Sequence, residues 1–356
     1  MPKNRPLLAL GIYLLFPLIL QADTPPPEPP AASTPAADPP TEAEVALDEA
    51  IGRLRDLKGV EAEVAQTADM LGQRFTIKGR YLKSTGHRNR LELSVSGLGN
   101  SAGQMVQACD GETLWEYQKI QEGARCTRLA VGEVFKKLDA PEFDAPFRDQ
   151  VLSGLGFAGP EALLAGLRKA IHFDRKEPGT LEIQVAKGKT EPVAVWILKG
   201  EWKDRDALTA PGQAPLPPTG PLPPFVPSVA TVSLGQADGW PYKVQLDGRA
   251  RSGMLQPRQT ASDRPVLTKP GPATQERPSR LVLIYGNVRL SPTFTAADFF
   301  FQPPASVSVL DQTKEVVDRL DRRRIELEDA TRNQAETEKA APSLEVPVPR
   351  LEPGGK

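Results

Sequence analysis

The chain has 356 residues, with 44 basic and 45 acidic side chains and a net charge of −1. Neither sign of charge dominates, and no concentrated basic face is present, so nucleic acid is not an expected partner. The 37 prolines exceed the usual share of about 5% and occur in clusters, which indicate the boundaries between ordered parts.

The first 22 residues have the order of a cleavable signal peptide. Lys3 and Arg5 precede fourteen uncharged residues from Leu7 to Leu20, and Ala22 is the simplest cleavage point. The alternative is an uncleaved membrane anchor, but fourteen helical residues rise only about 21 Å, against a hydrocarbon core of roughly 30 Å. No Cys lies near the junction, so a lipid-modified N-terminus is not expected. We therefore predict export to the periplasm, or secretion, as a soluble protein.

Residues 23–41 form a Pro-rich stretch that cannot bury a core, and they predict a disordered, extended spacer. The spacer ends at Thr41, which forms a T-x-x-E capping box with Glu44. Leu47 and the apolar residues after it recur at helical spacing. These signals predict a helix over 42–57.

From Val60 onward the apolar period changes to two, which is typical of strands that are apolar on one face. Asp110-Gly111 predicts a hairpin with a type I′ turn, in which both central residues have positive φ. Strands resume at Leu181, and Pro-rich insertions near 207–228 and 251–279 interrupt them. The pattern predicts an antiparallel meander.

Three short helices interrupt the strands in mid-sequence, with apolar faces beginning near Val131, near Phe147 and after Pro160. Residues 314–356 are charged and predict a helix extending from the domain, then a disordered end. The whole pattern predicts an α+β fold, with one domain over 42–313. We expect a strongly curved antiparallel β-sheet, an incomplete barrel, with an N-terminal helix and a lid of short helices.

No catalytic motif is recognisable in the sequence. The two histidines, His87 and His172, have no Cys or carboxylate around them at metal-ligand spacing, so no metal site is predicted. Nucleophile-elbow, Walker and dinucleotide motifs are absent as well. We expect a non-catalytic protein without a cofactor. The alternative, an enzyme, would need a polar site clustered in a cleft.

Cys109 and Cys126 are the only cysteines. An exported chain meets an oxidising compartment, which favours a disulfide between them. The strand pattern argues against the bridge, because the two residues would neighbour opposite ends of the strand from Thr113 to Gln118. A bulge or a different register would bring them together. We predict the bridge, since free thiols are a liability outside the cell.

Several segments together resemble the LolA-like superfamily of periplasmic lipoprotein carriers, of LolA, LolB and RseB type. The segment DGETLWEY, Asp110 to Tyr117, matches the superfamily's D-G-x-x-L/I-W-x-Y landmark. The closing landmark F-x-F-x-P-P-x-x-V-x-V-x-D is matched from Phe299 to Asp311. The resemblance spans roughly Leu47 to Thr313. It implies an incomplete antiparallel barrel covered by a helical lid.

One departure distinguishes this chain from the lipoprotein carriers. Those proteins typically show an Arg-Pro pair in the second strand, and the arginine is tied to lid opening and lipoprotein transfer. The matching stretch here, Lys83 to Arg88, has no such pair. The chain is therefore more similar to the divergent secreted members of the superfamily that are common in planctomycetes.

The resemblance implies a monomeric, carrier-like protein, peripheral to a membrane at most, that binds lipid or lipoprotein acyl chains between the concave sheet and the lid. The alternative is an envelope structural, interaction or sensor module with a protein partner and no lipid transport. The candidate cavity residues are the large apolar side chains of the strands and lid helices: Phe75, Ile77, Leu91, Leu93, Met105, Leu114, Trp115, Tyr117, Phe147, Val151, Leu155, Leu163, Leu167, Val195, Ile197, Leu283 and Tyr285.

Overall fold

The structure is a computed structural model that describes residues 39–340 apart from 71–72, 99–100, 153–154, 156–158, 187, 204–226 and 249–278. The predicted signal peptide, most of the spacer, nearly all of both Pro-rich insertions and the end of the tail lie outside the described residues. Their assignments stay predictions. Within the described residues, no helix combines the length and the apolar character needed to cross a membrane.

The described chain forms five α-helices and twelve strands. The helices are α1 (Glu42–Asp56), α2 (Val131–Leu138), α3 (Ala145–Leu152), α4 (Pro160–Ala170) and α5 (Thr313–Ala340). The strands are β1 (Gly59–Met70), β2 (Gln73–Ser84), β3 (Arg88–Leu98), β4 (Ser101–Cys109), β5 (Thr113–Ile120), β6 (Gly123–Ala130), β7 (Ile171–Ala186), β8 (Lys189–Trp202), β9 (Val229–Gly235), β10 (Pro241–Asp247), β11 (Arg280–Leu290) and β12 (Val309–Asp311).

All twelve strands join one sheet, in the order β12-β6-β5-β4-β3-β2-β1-β11-β10-β9-β8-β7. Its pairings are antiparallel except for the parallel pairing of β12 with β6. The end strands β12 and β7 do not pair with each other, so the sheet does not close into a barrel. The predicted α+β fold, a curved and incomplete antiparallel barrel with helices, is confirmed.

Helix α1 begins where the sequence predicts. The Thr41 Oγ1 accepts a hydrogen bond from the Glu44 backbone N–H at 3.2 Å, and the Glu44 carboxylate accepts from the Thr41 N–H at 3.4 Å. This reciprocal capping box satisfies two N–H groups that a helix start leaves unpaired. Leu47, Ile51 and Leu54 are then buried on one face of the helix. The predicted helix and its capping box are confirmed.

The hairpin predicted at Asp110-Gly111 joins β4 to β5, but its turn is not of type I′. Gly111 has a φ of 103°, whereas Asp110 does not have a positive φ. The Asp110 Oδ1 instead accepts hydrogen bonds from the backbone N–H groups of Glu112, at 2.9 Å, and Thr113, at 2.8 Å. Asp side chains commonly replace a backbone turn bond in this way. The hairpin is confirmed and the turn type is corrected.

One face of the sheet carries the helices, and we call it the inner face. Residues paired directly across strands lie on the same face, so a row of pairs follows this face from strand to strand. The row through β1 to β6 is Val60, Lys83, Asn89, Cys109, Leu114 and Leu129. Helices α1 and α4 pack at the Val60 end of this row, and α2 packs at the Leu129 end. We call the opposite side the outer face.

The helices divide between two apolar clusters. The large core joins α1 and α4 to β1 and β7–β11, and its most buried members include Leu47, Leu164 and Phe173. The small core joins α2, α3 and α5 to β4–β6 around Val134 and Leu320. The three mid-sequence helices therefore do not pack as one unit, because α4 belongs to the large core and α2 and α3 belong to the small core.

Cys109 and Cys126 are both free and buried, so the predicted disulfide is wrong. Cys109 pairs with Leu114 of β5, and Cys126 pairs with Tyr117 of the same strand. Leu114 and Tyr117 are three residues apart, and alternate residues of a strand point to opposite faces. The two thiols therefore lie on opposite faces of the sheet, two strands apart.

Candidate ligand site between the inner face and the helices

The two sequence landmarks meet on the outer face. The ring of Phe301 lies 6.2 Å from that of Trp115 and 6.0 Å from that of Tyr117, measured between ring centroids. Val106 and Cys126 complete this third cluster. Trp115 and Tyr117 were predicted to line the cavity, and that assignment is wrong because they face away from the helices. Their role is to hold the C-terminal segment against the outer face.

The alternation of side chains along β5 could have shown that the predicted residues of this segment face opposite sides of the sheet. Leu114 and Trp115 are neighbours in one strand, so they cannot both face the helices. Leu114 is the inner-face member of the motif, and it packs in the small core.

The predicted residues from α4 to the end of β11 lie in or against the large core. Leu163, Leu167, Val195, Leu283 and Tyr285 are buried there, and Ile197 packs against the cluster as a partly buried side chain. These residues are brought together as predicted. Their surroundings are those of a packed core.

A polar clamp around Glu44 fixes α4 to α1 and completes the large core. The Arg168 side chain of α4 lies 3.1 Å from both the Glu44 and the Asp48 carboxylates of α1. Burial acts to raise the pKa of Glu44, but Arg168, the Thr41 backbone N–H, His172 and Lys203 outweigh it and leave the pKa lowered. Glu44 is therefore held ionised, and α4 is held in place.

Helix α3 is attached much more weakly. None of its described side chains is buried, and Phe147, Val151 and Leu152 are half-buried against the small core. The ring of Phe147 stacks on Phe143 with the centroids 4.9 Å apart. Leu155 follows the helix, and its carbonyl accepts a hydrogen bond from Gln107 Nε2 of the inner face at 3.2 Å. Among the described residues, α3 therefore contributes only half-buried side chains to the small core, whereas α4 contributes buried ones to the large core.

Between α3 and α4 the inner face carries half-buried apolar side chains. We call these four residues the apolar strip: Phe75, Leu91, Leu93 and Met105. Leu93 pairs directly with Met105, and Leu91 pairs with Gln107 on one side and Tyr81 on the other. Ile77 of the same face is buried. The predicted residues of β2–β4 thus form one continuous surface that the helices cover only in part.

Polar contacts border the strip on both sides. On the α4 side, Lys83 Nζ forms an ion pair with Glu161 Oε1. Burial raises the pKa of Tyr81 and of Tyr285, and the nearby Glu161 carboxylate raises both further, so both phenols stay protonated. On the α3 side lies the hydrogen bond from Gln107 to Leu155. Sequence reasoning missed this border, although Lys83 shares the alternation of the apolar residues in β2.

The outer face has a small cleft of about 280 Å³ that the sequence did not predict. Its lining includes Arg80 and Arg90 of the sheet and Phe300 of the C-terminal segment. Arg80 pairs with Glu61, and Arg90 pairs with Glu92 at 2.6 Å and donates to the Phe300 carbonyl at 2.6 Å. Both guanidinium groups are satisfied within the protein, so the cleft holds the C-terminal segment in place. In the part of the chain described, no three metal-ligating side chains come together.

No protein-family model and no curated protein matches the sequence. The solved structures that the chain matches include the following three. The MucA/MucB complex of Pseudomonas aeruginosa matches at 10% identity and a TM-score of 0.31, covering 76% of this chain and 64% of that one. A DUF1329 family protein from Desulfovibrio piger matches at 10% identity and a TM-score of 0.26, covering 73% and 98%. An outer membrane lipoprotein-sorting protein domain from Vibrio parahaemolyticus matches at 13% identity and a TM-score of 0.26, covering 72% and 97%.

This chain spans slightly less than two thirds of the MucA/MucB chain that it matches. Likenesses at these TM-scores carry no argument about ligand, partner or activity. The open antiparallel sheet of this chain is the fold that was expected from the two sequence landmarks.

Proposed function

We propose that the protein is an exported, non-catalytic binding protein of the cell envelope that holds a lipid or lipoprotein acyl chain between the apolar strip and α3. The observation that carries this proposal is the half-buried state of Leu91, Leu93 and Met105 beside α3, a helix none of whose described side chains is buried. Apolar surface left partly exposed is stabilised when a ligand buries it, by about 0.8 kcal/mol for each methylene. An acyl chain fits this chemistry because it needs no specific polar contact along its length.

The same contacts suggest how the site opens. Of its described contacts, α3 has to release half-buried side chains and the Gln107–Leu155 hydrogen bond from the sheet. Helix α4 stays in place, because the Lys83–Glu161 ion pair and the Arg168 clamp hold it. One wall of the site is then fixed and the other yields to the ligand.

The alternative is an envelope interaction or sensor module with a protein partner. Val309 and Leu310 favour it, because they are 41% and 56% exposed on β12, at an edge of the sheet. Exposed edge strands can pair with a strand of another chain. A stable partner that Leu93→Ser still captures, and that Leu310→Asp on the exposed strand no longer captures, would support this function over acyl-chain binding.

The test is uptake of a fluorescent fatty acid, dansylamino-undecanoic acid, by delipidated protein. We expect saturable binding and about tenfold weaker affinity in Leu93→Ser, which corresponds to about 1.4 kcal/mol of lost apolar contact. Ile284→Ser is the matched control, because Ile284 is 39% exposed and pairs with Ala65 on the outer face. Absence of uptake by the unmodified protein, or equal weakening by both variants, would contradict the proposal. Mass spectrometry of the purified protein for bound lipid is the direct companion measurement.

A further inference from the structure

Gln66 is a polar residue in an apolar row of the inner face. It shares the alternation of Val64 and Ala68 in β1, and both neighbours belong to the large core. Across the strands it pairs with Ile77 of β2 and Leu283 of β11, which are also buried. An amide has thus replaced the apolar side chain that the pattern calls for.

The Gln66 side chain is 8% exposed, and its buried Nε2 has no hydrogen-bond partner. A buried amide that donates no hydrogen bond loses its interaction with water without compensation, and native structures contain few such groups. The side-chain amide NH2 can donate two hydrogen bonds and accept none, so the group that completes it carries an acceptor oxygen.

The position of Gln66 relates it to the apolar strip. Its partner Ile77 pairs in turn with Val95, and the next inner-face residue of β3 is Leu93. Phe75, another strip residue, pairs with Ala68, the next inner-face residue after Gln66 in β1. The unpaired donor therefore lies at the margin of the surface on which an acyl chain would rest.

We propose that Gln66 donates a hydrogen bond to the carbonyl oxygen at the head of the bound acyl chain. This inference rests on the proposed function. The ligand class is then narrower than hydrocarbon: it is an acyl chain with an ester, amide or carboxyl carbonyl. Gln66 is the residue that distinguishes such a chain from an alkyl chain of equal length. The apolar strip supplies affinity, and Gln66 sets the position of the head group.

The experiment compares two fluorescent probes of matched length. One is the methyl ester of dansylamino-undecanoic acid. The other is a dansyl N-alkylsulfonamide, whose alkyl chain carries no carbonyl. Delipidated wild-type protein, Gln66→Leu and Asn89→Leu are titrated with both. We expect Gln66→Leu to change the ester-to-alkyl affinity ratio about tenfold in favour of the alkyl probe, as loss of one buried hydrogen bond predicts.

Asn89→Leu is the matched control. Asn89 lies on the inner face, is also 8% exposed and also has an unpaired side-chain atom, but that atom is the acceptor Oδ1. An acceptor cannot bind a carbonyl oxygen, so the ratio should equal that of the wild type. Gln66→Leu removes a buried donor, Nε2, that has no acceptor, and we expect it to unfold at the same urea concentration as the wild type or a higher one.

A second measurement does not depend on any variant. The infrared carbonyl band of a 13C-labelled ester probe should move to lower frequency when it binds wild-type protein, relative to the ester in hydrocarbon solvent. A band that does not move, or an ester-to-alkyl ratio that Gln66→Leu leaves unchanged, would overturn the role of Gln66 and leave acyl-chain binding intact. Failure of both probes to bind the wild type would instead overturn the proposed function, and the role of Gln66 with it.

Discussion

The large core and the small core cover the same face of one sheet, but they are built differently. In the large core, Leu47 and Leu164 are fully buried, and the Glu44–Arg168 clamp joins the two helices. In the small core, α3 contributes no buried side chain among those described, and α2 is held partly by α5. One curved sheet therefore carries a tightly packed half and a more loosely packed half side by side.

The contrast has an energetic meaning. Local opening of a protein costs least where few apolar contacts are buried, and segments that move on ligand binding come from that end of the range. By this criterion we expect α3 to open before α4 does. The following predictions test whether the two halves differ as their burial indicates.

The largest expected effect is on the free energy of unfolding, when a leucine is replaced by alanine in each of the two cores. Leu164→Ala should lower the free energy of unfolding by about 3 kcal/mol, because Leu164 is 0% exposed and its removal leaves a cavity. Leu152→Ala, in α3, should cost about 1 kcal/mol, since Leu152 is only half-buried. Urea unfolding followed by circular dichroism measures both. Equal losses would mean that α3 is held as firmly as α4.

The next effect concerns α5, which packs on α2. Leu320 is buried in the small core, and Lys137 of α2 forms an ion pair with Asp321 at 2.8 Å. We expect Leu320→Ala to cost about 2 kcal/mol and to speed hydrogen exchange in α2 and α3 while leaving α4 unchanged. Exchange followed by mass spectrometry resolves the helices. Acceleration spread evenly over α2 and α4 would show that the two cores open as one unit.

A smaller effect comes from pH. The pKa of Glu44 lies below its ordinary value of 4.5 in the folded protein, so its ionised form contributes stability above that pH and loses it as the pH falls through the lowered value. We expect Glu44→Gln to cost about 1 kcal/mol at pH 7, and the gap to the wild type to close on acidification below pH 4.5. Chemical unfolding at several pH values measures it. A gap that stays constant with pH would mean that the charge of Glu44 contributes nothing to the clamp.

The last prediction is that the thiols of Cys109 and Cys126 do not react in the native protein. Burial raises the pKa of the Cys109 thiol to about 12 and also raises that of Cys126. Because the thiolate is the reactive form, we expect iodoacetamide to label neither residue in the native protein at pH 8, and both after unfolding in urea without reductant. A mass that shows no labelling after unfolding would restore the disulfide. Labelling of native Cys109 alone would report opening of the small core above it.

Local signals predicted much of this fold. The capping box at Thr41, Pro160 at the start of α4 and the turn residues between strands each act within a few positions of the chain. Site assignments were harder, because the face of a strand residue depends on which element covers that face. Trp115 was placed in the cavity from its size. Alternation puts it on the face opposite Leu114, but only the packing of α2 on Leu114 shows which of the two faces the helices cover.

The cysteine pair and Gln66 illustrate the same limit. Alternation assigns Cys109 and Cys126 to opposite faces of the sheet only when the register of β5 with β4 and with β6 is known. Gln66 follows the apolar alternation of β1 in the sequence, but its missing hydrogen-bond partner is visible only in three dimensions. The strip was predicted from apolar residues at period two, whereas the separation of the helices into two cores depends on packing between distant segments.

The place of β1 in the sheet has a consequence for how the chain reaches its fold. β1 pairs on one side with β2, its neighbour in sequence, and on the other side with β11, for instance through Val64 and Tyr285. Chains dominated by such distant contacts fold slowly, because a very long loop must close before the contact is made. The sheet therefore cannot be completed until nearly the whole chain is available. Throughout that delay, the strand edge of β1 that awaits β11 stays unpaired and open to aggregation.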